Sequence, residues 1–469
     1  MGLKQLFSAK DMTLGAPWKR ISEFAVPMLL GNMAQQLYNT ADSVVVGHYI
    51  GDNALAAVGS ASPILNLLLA LFVGLSTGAG IAVSQNFGAK DREQLSVSIG
   101  NCITLTAITT LVIMLIGPLV TRPLLELLDT PASIIDWCTN YLRIFFIGCG
   151  GFFFYNMLSG ILRGMGDSFS ALGYLLLATV LNIGLDVLFV AKFNMGVPGV
   201  SLATVIAQFI SALFCLNKLM RMRDVFDLNL STLKLRAACA KRIITIGLPS
   251  AITQGVMSVA MLVVQSLTNS LGETVIACSV IIMRVDGFAM MPNMSFGQAM
   301  SVYTGQNVGA GKTERIKEGL KQGGAMAVGF ATFITIILLF FGHHLFAIFT
   351  ETEALIDLAV RMMRILAFGY ICIAVTQVLG GIMRGAGDTV TPMWITLITT
   401  VALRIPVAYG LAYLTRSPEF VNGHPAALFT SLLVSWSMGA LISFLVFRRG
   451  GWRKRAQEAA NFSESVLAD

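Results

Sequence analysis

The stretch GILRGMGDS at Gly160–Ser168 returns as GIMRGAGDT at Gly381–Thr389, 221 residues later. A second pair, SQNFGAKD at Ser84–Asp91 and GQNVGAGK at Gly305–Lys312, keeps the same offset of 221. Asp136 and Arg143 map by that shift onto Asp357 and Arg364. Self-similarity at a fixed period is the signature of a duplicated architecture, so the chain reads as two copies of one unit.

What lies between the repeated turns is strongly apolar. Of the 469 residues, 55% are hydrophobic and 12% charged, against roughly 25% charged in a soluble domain. About twelve apolar runs can be counted, near 21–47, 54–85, 93–119, 134–160, 169–190, 200–220, 243–268, 274–304, 315–342, 355–382, 389–413 and 425–447. Most are long enough to cross ~30 Å of hydrocarbon as a helix. The expected fold is an all-α polytopic membrane protein with two six-helix lobes related by a parallel pseudo-two-fold repeat. The expected segments are a cytoplasmic start at 1–20, an N-lobe at 21–220, a connector at 221–242, a C-lobe at 243–447 and a basic tail at 448–469. Two bundles facing each other across a central cavity is the economical arrangement.

Charge gives the orientation. The segments on the side of the termini hold 22 Lys and Arg, from Lys4, Lys10, Lys19 and Arg20 to Arg453, Lys454 and Arg455, whereas the opposite loops hold only Arg122, Lys192 and Arg416. Both termini are therefore expected in the cytoplasm of a cell (inner, cytoplasmic) membrane protein. This explains the net charge of +7 without a nucleic-acid partner. The basic start lacks the apolar core and cleavage site of a signal peptide. The seven cysteines form no CxxC pair and read as small hydrophobes.

A feature present in both halves reads as scaffold. The RGxGD turns permit tight reversal at glycine, and their Asp can cap the next helix. The QNxGA segments end helices, and the duplicated Asp136/Arg143 and Asp357/Arg364 pairs lie two turns apart on one helix face.

A feature of one half reads as specialised. In ATVLNIGLDVLFV (Ala178–Val190), Asn182 and Asp186 share a helix face, yet the shift maps them onto Leu403 and Val407. Asp42, in YNTADSVVVG, maps onto Val263. A carboxylate in hydrocarbon is costly and marks a functional candidate. At ~1.5 Å per residue, Asp42 sits about 8 Å inside the outer boundary, Asp186 and Thr204 about 6 Å, Tyr141 about 10 Å and Asn182 about 12 Å. Gln35 and Tyr38 share the face of Asp42, Tyr141 and Asn156 follow one stripe, and Thr204 pairs with Gln208. The alternative, a satisfied interhelical hydrogen-bond cluster, has only Arg143 as a basic partner in that half at that depth. Two acids in a dry site cannot both stay ionised cheaply. The cluster should hold a proton or a hard monovalent cation, and so tie ion entry to a conformational switch.

The six-plus-six repeat, AVP in the first run, GQNVGAGK, the paired RG-G-D turns and the acids of the first and fifth runs resemble the multidrug and toxic compound extrusion (MATE) family. The resemblance spans about residues 15–450. It implies a secondary active antiporter, not an enzyme and without a cofactor. Such a protein exports organic, often cationic and amphipathic, compounds in exchange for H+ or Na+. Within the family the chain is similar to the branch whose N-terminal lobe binds the cation. That likeness implies H+ or Na+ at Asp42, Asn182, Asp186 and Thr204, cavity tyrosines at Tyr38 and Tyr141, and bending at Pro27. Another branch uses acids of the C-terminal lobe, where this chain offers Arg284, Asp286 and Arg404. Interlobe pairing is the expectation for these three, and a second coupling or substrate site the rival. Gln35, Asn156, Met257, Phe288 and Met291 complete the expected substrate cavity. The partners expected are small-molecule substrates and the bilayer, with the protein a monomer. A lipid-linked precursor flippase of the same superfamily is the alternative. A prenyltransferase would need a second Asp-rich cluster for Mg²⁺-diphosphate, and the second half has none at the matching place.

Overall fold

The computed structural model describes residues 7–128, 130–418 and 420–465. Lys4 and the two chain ends, within the expected N-terminal segment and basic tail, lie outside the described residues. Those residues form helices joined by loops, with no strand among them. The helices are α1 (Pro17–Tyr49), α2 (Asp52–Gly88), α3 (Arg92–Leu127), α4 (Ile135–Gly148), α5 (Gly150–Gly164), α6 (Ser168–Asp186) and α7 (Gly196–Met220). The second half contributes α8 (Ala237–Ser270), α9 (Glu273–Gly309), α10 (Thr313–Ala347), α11 (Glu353–Gly385), α12 (Val390–Leu397), α13 (Arg404–Leu414) and α14 (Ala426–Arg449). A final helix, α15 (Gly451–Ser465), falls where the sequence suggested only a basic tail.

Ten stretches are individually long and apolar enough to span a membrane, and α4 with α5 forms an eleventh, bent by 52°. Helix α1, 33 residues long, supplies the twelfth. Its Gln35, Gln36, Asn39 and Asp42 lower its hydropathy. The expected continuous fourth run is thus broken, at Cys149 between Gly148 and Gly150. Two spans carry π-helical turns, Val187–Lys192 after α6 and Ile398–Leu403 between α12 and α13. Such turns leave the regular hydrogen-bond ladder and often mark functional positions.

The chain divides into two compact units. Among the described residues, one takes 7–11, 27–251 and 463–465, and the other 12–26 and 252–462. In the first, α5 packs against α2 and α7, and α6 and α4 against α7. In the second, α11 is central, packed on α9, α10 and α14. Repeated glycines allow both crossings. A Cβ on Gly160 would meet Ser76, and one on Gly381 would meet the Gly297 carbonyl oxygen. Small residues at such crossings let backbones approach closely.

The repeated turns also match. Gly166 and Gly387 both have positive φ, 81° and 91°, the left-handed conformation that closes a helix. Asp167 then caps α6 through Ser170 N at 2.9 Å, and Asp388 accepts from Thr391 N at 3.1 Å. The QN segments anchor buried polar contacts: Asn86 donates to Ser98 Oγ at 2.7 Å, and Gln306 Oε1 accepts from Met12 N at 2.8 Å. The duplicated Asp136 and Arg143 each bond a neighbouring segment. Asp136 is bound by Arg122 at 3.2 Å, and Arg143 Nε donates to the Pro118 carbonyl. In the second half Arg361 Nε donates to the Asp357 backbone. At the exposed end of a helix, a long arginine from a neighbouring segment reaches the acid more readily than one two turns away.

Candidate functional site: a carboxyl pair in the first unit

Helices α1, α4, α6 and α7 of the first unit each bring a polar group to one locality. Helix α1 supplies Tyr38 and Asp42, one turn apart. Helix α6 supplies Asn182 and Asp186, with Asp186 its last residue before the π-helical turn. Helix α7 supplies Thr204 and Gln208, and α4 supplies Tyr141.

The side chains meet as the spacing suggests. Asn182 and Asp186 are fully buried, and Tyr38 and Tyr141 nearly so. The carboxyl groups of Asp42 and Asp186 face one another within hydrogen-bonding range. Neither ionised group carries a donor, so Asp42 Oδ1 and both Asp186 oxygens have no partner. Asn182 Nδ2 donates to Thr204 Oγ1 at 3.3 Å, leaving Asn182 Oδ1 unpartnered as well. Tyr38 lies beside Thr204 and Gln208, and Tyr141 lies near both acids.

Chemically this is a set of oxygen donors with surplus negative charge and no ion pair. Arg143 bonds a carbonyl elsewhere. An unpaired buried charge is expensive. A proton held between the two carboxyl groups removes it, and so does a small cation bound by Asp42, Asn182 Oδ1 and Asp186. Among the described residues no group of three or more His, Cys, Asp or Glu suits a transition metal.

The other expected cavity residues are placed differently. Gln35 donates to Asn39 Oδ1 at 3.3 Å, and Asn156 to the Phe152 carbonyl at 2.8 Å, so both are engaged within their own helices. In the second unit, Met257 and Phe288 are exposed at 44% and 53%. Met291 is half-buried. Arg284 is exposed, whereas Asp286 accepts from Tyr370 Oη at 2.9 Å. Asp286 therefore has a partner inside its own unit. Sequence reading missed Tyr370. The signal available was its position: it maps onto Cys149, so the tyrosine belongs to one half only.

Comparison with known proteins places this geometry in context. A family model for MatE matches residues 27–188 and 249–410, once in each half. The "Probable multidrug resistance protein YoeA" of Bacillus subtilis is 29% identical over 427 residues, 89% of this chain and 92% of that protein. The "Probable multidrug resistance protein NorM" of Thermotoga maritima is 25% identical, over 93% of this chain and 94% of that one. A solved structure described as the "Outward-facing conformation of a multidrug resistance MATE family transporter of the MOP superfamily" superposes with a TM-score of 0.86. It is 24% identical and covers 96% of this chain and 98% of its own. That likeness carries the fold. The family match spans more than half of the chain, once in each half, and the protein therefore belongs to the MatE family of membrane transporters.

Proposed function

We propose that the protein is a multidrug efflux antiporter of the cell membrane, exporting small organic compounds in exchange for inward H+ or Na+. One observation carries the coupling: two carboxyl groups, the half-buried Asp42 and the fully buried Asp186, face each other with unpartnered oxygens and no basic residue between them. Such a pair exchanges its ion when geometry changes, because separating the acids alters what each can hold. Asn182 and Thr204 orient the site, and Tyr38 and Tyr141 close it. The relatives named for multidrug resistance support the substrate class. Both termini are assigned to the cytoplasm on charge, and the working unit is a monomer.

The deciding measurement is substrate-driven pH change in proteoliposomes, run with and without Na+. A pH change in the absence of Na+ assigns H+, and a strict Na+ requirement assigns Na+. Asp42→Asn retaining full ion-coupled efflux in vesicles would sink the assignment.

A further inference from the structure

The junction between the last span and α15 carries a group of cations that the coupling site does not use. On α14, Leu441, Phe444 and Leu445 are exposed apolar side chains, and in a spanning helix such a stripe faces the acyl chains. At one-turn spacing the stripe runs on into Arg448 and Arg449, both exposed. One turn advances ~5.4 Å, so the two arginines leave the hydrocarbon on its lipid-facing side, at the level of the headgroups.

The chain then turns at Gly450, whose φ of 78° ends α14 in the left-handed conformation. Trp452 holds the turn closed. Its ring stacks on Phe447 with centroids 5.1 Å apart, and its Nε1 donates to the Phe447 carbonyl at 3.2 Å. Trp452 and Ala456, one turn apart, are buried and line one cleft with Val308 and Gly311 of the α9–α10 turn. The start of α15 is therefore fixed in place, with Arg453 and Lys454 exposed beside it.

Two of these cations are braced on aromatic faces. Arg448 lies over the Phe444 ring at 5.6 Å, and Arg453 over the Trp452 ring at 5.6 Å. Among the described residues, Arg448, Arg449, Arg453 and Lys454 close no ion pair, whereas the adjacent Arg455 bonds Glu458 at 3.1 Å. Orientation in the membrane requires positive charge on one side, but not cations braced on rings and set on a helix docked to the protein. An acidic protein partner would want apolar contact at the centre of its interface. The exposed neighbours of Lys454 are instead polar, namely Arg455, Gln457 and Glu458.

We propose that Arg448, Arg449, Arg453 and Lys454 form a docking surface for the phosphate groups of anionic phospholipids, with the start of α15 resting at the leaflet surface. The contacts are several and individually weak, each worth about a fivefold change in association. The surface is separate from the carboxyl pair and does not depend on which ion the protein couples.

The test is native mass spectrometry of the purified full chain, released from micelles holding equal amounts of phosphatidylglycerol and phosphatidylcholine with matched acyl chains. The wild type should retain phosphatidylglycerol in preference, and the preference should fade as ionic strength rises. The double variant Arg449→Gln, Lys454→Gln should lower it about tenfold or more. Arg449→Lys with Lys454→Arg keeps both charges and should keep the preference. If the glutamine pair fails to fold, Arg448→Gln with Arg453→Gln decides in its place. Lys19→Gln with Lys241→Gln removes two exposed charges elsewhere and should bind as wild type does. A loss there equal to that of the first pair means attraction by net charge alone and overturns the docking surface. A wild type without preference overturns it too. A preference unchanged in the glutamine pair does the same, and loss of polyglutamate binding in that variant would assign the surface to an acidic protein instead.

Discussion

Asn182 Nδ2 donates to Thr204 Oγ1 at 3.3 Å, while the amide oxygen of Asn182 stands buried and unpartnered. The threonine therefore acts through the amide. Removing it frees the amide to rotate and to offer its NH₂ to the acids. A site that then satisfies the carboxylates internally has less need of an ion.

Thr204→Ala should accordingly weaken the coupling ion without abolishing transport. One lost hydrogen bond is worth about 1 kcal/mol, or about a fivefold higher ion concentration for half-maximal efflux. Thr204→Ser should restore the wild-type value. Efflux rates from vesicles titrated with H+ or Na+ measure this. An unchanged half-maximum in the alanine variant removes Thr204 from the site.

The two equivalent glycines should not be equally tolerant. A Cβ at Gly381 meets the Gly297 backbone carbonyl, whereas one at Gly160 first meets the Ser76 hydroxyl. Backbone cannot step aside, and overpacking of this kind costs about 1–3 kcal/mol. The serine can rotate, losing its 2.7 Å bond to the Asn156 carbonyl, at a cost near 1 kcal/mol. Thermal unfolding in detergent should rank wild type above Gly160→Ala, and Gly160→Ala above Gly381→Ala. A reversed order would mean that the α9–α11 crossing relaxes more freely than its packing suggests.

How much of this was legible in the sequence depended on the range of the interaction. The turns, caps and close-packed glycines sit in motifs printed twice, so comparing the halves exposed them. The convergence of Asp42, Asn182, Asp186 and Thr204 followed from counting residues along helices that must all cross one slab. The break at Cys149 did not, because the apolar run through it is continuous and the bend comes from a glycine-flanked step. Arg122 as the partner of Asp136, and Tyr370 as the partner of Asp286, were hidden for another reason. Their choice depends on which helices become neighbours, and spacing along one helix says nothing about that.

Asp167 offers a test by pH outside the spans. Burial pushes its carboxyl above the usual range, with the Ser170 bonds and Lys218 pulling the other way. A carboxyl raised on folding makes the ionised form a cost, present above the folded-state pKa and relieved as the pH falls through it. Asn keeps an oxygen to cap α6 and removes that charge. Asp167→Asn should therefore be at least as stable as wild type at neutral pH, with the difference closing as the pH approaches the carboxylate range. Asp167→Ala should lose about 1 kcal/mol at either pH, as helix caps do. Unfolding temperatures of the three proteins at two pH values check this. An Asn variant as damaged as the Ala variant at neutral pH would show that the charge itself is needed.

The two acids of the coupling site should behave as one group. They face one another with no basic neighbour, and two such acids in a dry site cannot both stay ionised cheaply. Replacing either with Asn removes the mutual repulsion that lets the site release its ion, and the remaining acid then takes a fixed protonation state. The second replacement has little left to remove. Asp42→Asn and Asp186→Asn should each reduce ion-coupled efflux at least about tenfold, and the double variant should be no more than about twofold worse than the worse single one. Residues that act as a unit show this non-additivity. A double-mutant cycle on initial efflux rates measures it directly. Multiplicative losses would mean two separate binding steps, one for each acid, and the single shared site would have to be abandoned.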